Sequence, residues 1–349
     1  MRHTYDAELP PLPVRERLLR AHPQAHPASA HWRDGKFVNL ESGVRDGKAV
    51  LRWLRTRQPQ AWPHWVEGEA FAPPPQRLSG PQAGWRVTFI NHATVLLQLG
   101  AYNLITDPVW AERVSPFSFA GPRRVRAPGV RLEQLPHIDW VLLSHNHYDH
   151  MDLATLRYLQ QRERPLVLTG LGNGYYLRRA GIDHVQELDW WQTHHGQDMF
   201  CHFVPARHFS GRGMGDRDQA LWGGFVIETA QGRLYFAGDT GWGEHFAHIA
   251  QRWPQGFRLA LLPIGAYEPR WFMRLAHMNP EDAVRAQAEL KAEQALAIHF
   301  NTFQLTDEAI DQPVKDLQRA LEAAGCSKAD FWVLKEGESR ALAAPVSCG

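Results

Sequence analysis

A chain of 349 residues, 44% hydrophobic and 21% charged, can bury one large or two small cores and is not globally disordered. Its 38 basic residues against 37 acidic ones leave a formal charge of +1. That balance excludes a long-range field for gathering polyanions, so no nucleic-acid partner is expected. The longest apolar stretches, such as Leu259–Ile264, fall far short of the about 18 residues a membrane helix needs.

Residues 1 to about 80 read as an N-terminal arm or cap, with Pro10, Pro11 and Pro13 at one end and Pro73, Pro74 and Pro75 at the other. The opening MRHTYDAELPPLP places acids and prolines where a secretory signal needs an apolar core. Within the arm, Val44 to Arg57 is predicted as a short helix. It carries Val50, Leu51, Trp53 and Leu54 beside Arg45, Lys48, Arg52 and Arg55. Such a helix packs on the main domain or touches a membrane surface through its Trp and Arg residues.

From residue 81 to the C-terminus the pattern is that of one domain. Strands are predicted at Trp85–Ile90, Thr94–Leu99, Ile138–Leu143, Leu166–Thr169, Met199–Val204, Phe225–Glu228, Leu234–Phe236, Leu259–Ile264, Leu296–Phe300 and Phe331–Leu334. Helical patterns fall between them at Leu153–Gln160, Pro280–Glu293 and Val314–Ala324, with Asn279 as a candidate N-cap before Pro280. Strands interleaved with helices predict sheets covered by helices, an α/β layered domain. The cysteines, Cys201, Cys326 and Cys348, are odd in number and scattered, which suits a reducing compartment. A cytoplasmic protein is expected, with contact at the inner face of a membrane left open.

The strongest local signal is Ser144-His145-Asn146-His147-Tyr148-Asp149-His150, which follows an apolar strand directly. One such histidine is ordinarily a surface or satisfied core residue. Four donor residues on a strand-to-loop edge point instead to a metal, because imidazole and carboxylate are its usual ligands. A closed site needs further donors. His208, Asp239 in Gly238-Asp239-Thr240-Gly241, and His299 each end or follow a predicted strand, although spacing alone leaves His208 in competition with His194, His195 and His202, Asp239 open as a turn residue and His299 as a core histidine.

HNHYDH, a later His, GDTG and a last strand ending in His together resemble the metallo-β-lactamase superfamily. More narrowly, Ile90–Thr94, Thr106-Asp107-Pro108, Gly121–Arg124, Leu188–Trp191, Pro263–Met273, Asn279–Val284 and Lys335–Arg340 resemble N-acyl-phosphatidylethanolamine-hydrolysing phospholipase D, over roughly residues 85–342. The resemblance implies a four-layer αβ/βα sandwich with metals at one sheet edge. It implies that His145, His147 and His208 hold one metal, that Asp149, His150 and His299 hold the other, and that Asp239 bridges them. True β-lactamases carry cysteine at that bridging position, so Asp239 suits a two-metal phosphoester or thioester site.

Two zinc ions are the implied cofactors, and nitrogen and oxygen donors do not exclude Fe or Mn. Metals about 3.5–4 Å apart would lower the pKa of a bridging water, and the hydroxide would attack phosphorus in line. N-acyl-phosphatidylethanolamine or a related phospholipid would then yield an N-acylethanolamine and phosphatidic acid. Asp149 would also orient the nucleophile, and His277 would bind phosphate or protonate the leaving group. Asp107 and His92 would lie behind the ligands, while Arg123, Arg124 and Tyr267 would face substrate. Phe209 and Phe300 stand where mammalian enzymes have Trp, and Ser210–Gly213 differs from their loop, so the pocket wall departs from theirs. The competing readings are another hydrolase of the superfamily, such as one opening a phosphorylated lactone, and a metal-binding scaffold without turnover. A homodimer stays open.

Overall fold

The computed structural model describes residues 26, 28–41, 47–78, 83–213 and 215–344. The signals at Pro10, Pro11 and Pro13, the start of the predicted arm helix at Val44 and Arg45, and Cys348 lie outside the described residues.

Two seven-stranded mixed sheets face one another and carry helices, which is the α/β sandwich expected. The first sheet runs in the order Ser339–Leu342, Trp85–Asn91, Thr94–Leu99, Tyr102–Thr106, Trp140–Leu143, Leu166–Gly170, Val185–Leu188. The second runs Phe331–Trp332, Ala292–Ile298, Phe257–Pro263, Gly232–Phe236, Gly224–Thr229, Met199–Val204, Thr193–His195. In each sheet one half is antiparallel and the other parallel.

Period-two alternation explains how a strand such as Trp140–Leu143 serves two cores. Trp140 and Leu142 join Phe89, Phe203, Phe225 and Phe236 between the sheets. Val141 and Leu143 turn the other way, onto Leu153, Leu156 and Leu159 of the helix Leu153–Arg162. That helix starts where Asp152 accepts from the N–H groups of Ala154 (3.1 Å) and Thr155 (3.4 Å). Asn279 and Asp282 form a reciprocal capping box at the helix Pro280–Glu289. The sequence pattern carries that helix to Glu293, but the structure ends it at Glu289. Lys291 takes a left-handed φ of 49°, and Ala292–Ile298 pairs with Phe257–Pro263, so the sheet ladder claims residues that read as helical.

The strands at Tyr102–Thr106, Val185–Leu188, Thr193–His195 and Ser339–Leu342 were not predicted. Three of them lie at or next to sheet edges and mix polar with apolar residues, which weakens the signal. The arm helix is Gly47–Thr56, and it packs on the main domain: Trp53 stacks on Phe272 with rings 5.0 Å apart, and Arg52 lies 4.5 Å from the Trp271 ring centre. No helix among the described residues is long and apolar enough to cross a membrane.

His245 begins the helix His245–Arg252 and is buried, with Nε2 3.1 Å from the Thr240 hydroxyl. Burial, aided by the nearby Arg207 and His248, lowers its pKa from 6.5 to about 3. The unfolded chain therefore binds this proton and the folded chain does not. Stability from this residue is whole above pH 6.5 and is lost as pH falls below it, by about 1.4 kcal/mol per unit. Between pH 6.5 and 5, wild type should lose about 2 kcal/mol more than His245→Gln in urea unfolding. Equal losses would contradict this origin.

Candidate metal centre

The site lies where strand ends from both sheets meet. Trp140–Leu143 delivers Ser144 and the loop to His150; Met199–Val204 leads to His208; Gly232–Phe236 leads to Asp239; Ala292–Ile298 leads to His299. Gly238 permits the meeting. Its φ is +60°, and a Cβ there would lie 2.6 Å from Ser144 Cβ and 3.0 Å from the Gly223 carbonyl oxygen. A side chain would push the strand carrying Asp239 away from the loop carrying the histidines.

The donors gather as two clusters. His145, His147 and His208 form one: His145 Nε2 lies 2.8 Å and His208 Nε2 3.2 Å from His147 Nδ1. Asp149, His150 and His299 form the other, with both histidine Nε2 atoms 3.4 Å from Asp149 Oδ2. His92 joins this second cluster, its Nε2 3.1 Å from Asp149 Oδ2. Asp239 Oδ2 stands between the clusters, 3.2 Å from His150 Nε2, 3.2 Å from His299 Nε2 and 3.7 Å from His208 Nε2. His277 Nδ1 is 3.9 Å from the same oxygen, at the less buried side.

This donor set fits metal ions. Asp239 Oδ1, His150 Nε2 and His299 Nε2 are buried without a hydrogen-bond partner, although buried polar groups are normally satisfied. Five imidazoles and two carboxylates crowd into one water-poor space with no Lys or Arg ion pair to either Asp149 or Asp239 among the described residues. Divalent cations would satisfy both the orphaned atoms and the charge.

Electrostatics divide the histidines. Burial pulls His145 and His208 well below the ordinary value and His147 to about 4, so these imidazoles are neutral donors. Burial acts the same way on His150 and His299, but Asp239 and Asp149 outweigh it, holding His150 well above the ordinary value and raising His299 to about 9. Burial would raise the two carboxylates, yet the surrounding histidines hold both well below the usual range.

Asp107 sits beneath the cluster, fully buried. It accepts from the Ser144 N–H (2.7 Å), the Ser144 hydroxyl (2.6 Å) and His150 Nδ1–H (2.6 Å), which aims His150 Nε2 at the other donors. Ser144, quoted within the motif but given no role from sequence, also places its hydroxyl 2.9 Å from His145 Nδ1. His92, Asp107 and His299 all have left-handed backbone, with φ of 47°, 32° and 60°. Such strain costs about 1–3 kcal/mol per residue and persists where packing over-determines it.

Three predicted residues are engaged elsewhere. Arg123 ion-pairs with Glu112 at 2.6 Å on the surface. Arg124 is buried and donates to the carbonyls of Ala111 (2.9 Å) and Val109 (3.2 Å), so its charge serves to hold loops. Tyr267 donates its hydroxyl to Asp316 at 2.6 Å. Conversely, the sequence assigned no role to Arg212, whose Nη1 donates to the carbonyls of Asn146 (2.9 Å) and Met151 (2.8 Å), bracketing the loop that carries His147, Asp149 and His150.

With this geometry in view, comparison with known proteins decides the family. The description "Beta-lactamase superfamily domain" matches residues 102–300. The chain belongs to the metallo-β-lactamase superfamily. It is 37% identical over 308 residues to an uncharacterized protein of Mycobacterium tuberculosis, covering 84% of this chain and 80% of that one. It is 36% identical over 254 residues to N-acyl-phosphatidylethanolamine-hydrolyzing phospholipase D 1 of Caenorhabditis elegans, covering 69% of this chain and 71% of that enzyme. Among solved structures, a possible metal-dependent hydrolase from Veillonella parvula superposes with a TM-score of 0.60 at 17% identity, covering 74% of this chain and all of its own, which shows the shared fold. The chain is thus a metallo-β-lactamase-fold hydrolase with histidine and aspartate clusters suited to two metals.

If the Gly238 contact sets the distance between the clusters, Gly238→Ala should fold with a loss of about 1–3 kcal/mol in urea denaturation and should take up less metal. Unchanged stability and metal content would show that the contact is dispensable.

Proposed function

We propose that the protein is a two-metal phosphodiesterase of phospholipase D type that hydrolyses N-acyl-phosphatidylethanolamine or a related phospholipid. The observation that carries this reading is Asp239 Oδ2, which approaches donors of both clusters at 3.2 to 3.7 Å, as a carboxylate shared by two metals would. His145, His147 and His208 would hold one ion; Asp149, His150 and His299 the other. Bound metals would supply an activated water and charge stabilisation at phosphorus. Zinc suits this donor set, with Fe and Mn the alternatives.

The residues around the ligands take supporting roles. Asp107 fixes the His150 ring, and His92 holds the Asp149 carboxylate. His277, half-buried beside Asp239, would bind a phosphoryl oxygen or hand a proton to the departing alcohol. The lipid substrate is favoured by the 36% identity to the Caenorhabditis elegans phospholipase D. Peripheral contact with a membrane, at its cytoplasmic face, goes with that substrate. Leu51 and Leu54 of the arm helix are about half exposed, and Trp271, over which Arg52 of that helix lies, is exposed too, which suits such a contact.

Incubating the metal-loaded protein with vesicles containing N-acyl-phosphatidylethanolamine tests the reading. Phosphatidic acid and N-acylethanolamine should be released, chelation should abolish the release, and Asp239→Asn should lower it roughly 10²–10³-fold or more, as loss of a charge-stabilising group does. Turnover of a phosphorylated lactone or another ester without phosphatidic acid would replace the substrate. Metal binding without any turnover would remove the enzyme.

A further inference from the structure

We propose that Asn39, 169 residues upstream of His208, is a positioning residue for that histidine, and that the segment from Trp32 to Glu41 thereby sets metal affinity at the His145–His147–His208 pocket. The inference rests on reading those histidines as metal ligands.

After Val204 the chain leaves the second sheet, so the peptide groups around His208 have no strand partner. His208 is 2% exposed, so its peptide groups need partners within the protein. The Asn39 side-chain amide supplies them. Its Nδ2–H donates to the His208 carbonyl oxygen (2.8 Å), and its Oδ1 accepts from the His208 N–H (3.1 Å). An amide that both donates to and accepts from one residue reproduces what a neighbouring strand supplies, and fixes that residue's translation and rotation.

The ring is fixed from the other side. His208 Nδ1–H donates to the Ala276 carbonyl (2.9 Å), which leaves Nε2 facing His147 Nδ1. With the backbone latched by Asn39 and the ring by Ala276, little freedom remains in the direction of the donor lone pair.

Asn39 is itself held. Its Oδ1 also accepts from Trp222 Nε1–H at 3.2 Å. Two residues earlier, Phe37 is buried in the core between the sheets and donates its N–H to the Asp218 carbonyl (2.7 Å). The ribbon pairing Trp32–Arg33 with Lys36–Phe37 stiffens the approach. Two residues later, Glu41 ion-pairs with Arg207 (3.1 Å), next to His208, and accepts from the Glu244 N–H. The segment thus bridges the loop carrying His208 and the turn after Asp239.

These contacts are asymmetric, and the asymmetry supplies the test. The side-chain contacts of Asn39 go to His208 and Trp222, and none goes to Asp149, His150 or His299 among the described residues. Loss of a group that orients a ligand typically costs about 10–100-fold in metal affinity. That loss should fall on one pocket only, whereas a merely structural role would weaken both.

The experiment is titration of zinc, and separately of cobalt(II), into the metal-free full chain against a chromophoric chelator, with urea unfolding of the metal-free forms alongside. Wild type should bind two equivalents. Asn39→Ala should bind one of them about 10–100-fold more weakly and the other unchanged, with an altered cobalt(II) spectrum for the weakened pocket. Asn39→Asp keeps the acceptor but loses the donor to the His208 carbonyl; it should fall between the two and decides the matter if the alanine variant does not fold. Wild-type affinity at both pockets, or equal weakening of both together with a lowered unfolding midpoint, would overturn the proposal. Wild type binding no metal would defeat the ligand reading itself, a result distinct from failure at Asn39.

Discussion

The close approach of the Gly238 backbone to the Ser144 side chain and the Gly223 carbonyl is the constraint on which the site depends. Each sheet alone supplies only part of the donor set: the loop after Trp140–Leu143 brings His145 to His150, while His208, Asp239 and His299 come from the other sheet. A sandwich normally keeps its sheets about 10 Å apart, side chain against side chain. At this edge a glycine lets the strand carrying Asp239 close on the loop carrying the histidines, and the Gly223 N–H donates to the Ser144 carbonyl across the seam (3.1 Å). The large aromatic core between the sheets holds the two halves in register, so the packing energy of Phe89, Phe203, Phe225 and Phe236 is transmitted to donor geometry.

Burial then gives the gathered groups their chemistry. In water these histidines would titrate together near neutrality. Here the cluster of His145, His147 and His208 is kept neutral by desolvation, while His150 and His299 are drawn to the charges of Asp149 and Asp239. The outcome is a pocket of neutral imidazoles beside one in which imidazoles and carboxylates are charge-paired, with Asp239 between them. Behind them, Asp107 accepts from His150 Nδ1–H and Ser144 lies against His145 Nδ1, while His150 Nε2, His299 Nε2 and Asp239 Oδ1, at the centre, are buried without a hydrogen-bond partner.

Much of this was legible in the sequence because it is written locally. Four donors within one loop after an apolar strand need no knowledge of the fold, whereas the spacing of His208, Asp239 and His299 leaves other readings open and only the family resemblance assigns them to the site. The layered architecture followed from strands alternating with capped helices. What could not be read depends on contacts between distant segments. Nothing near Asn39 indicates that its amide will meet His208, and nothing near Arg212 indicates that it will bracket the loop from Asn146 to Met151. Arg124 shows the converse: an arginine beside a predicted phosphate site suggests substrate contact, but its donors are taken by backbone carbonyls that only the folded chain brings near. The helix at Pro280 was overextended for a related reason, since strand pairing, a long-range property, decides where it stops.

The most direct test of the account is anomalous X-ray diffraction from crystals of the protein grown with zinc. Two metal peaks are predicted, one bounded by His145, His147 and His208 and the other by Asp149, His150 and His299, with Asp239 reaching both. A single peak, or peaks outside these side chains, would contradict it.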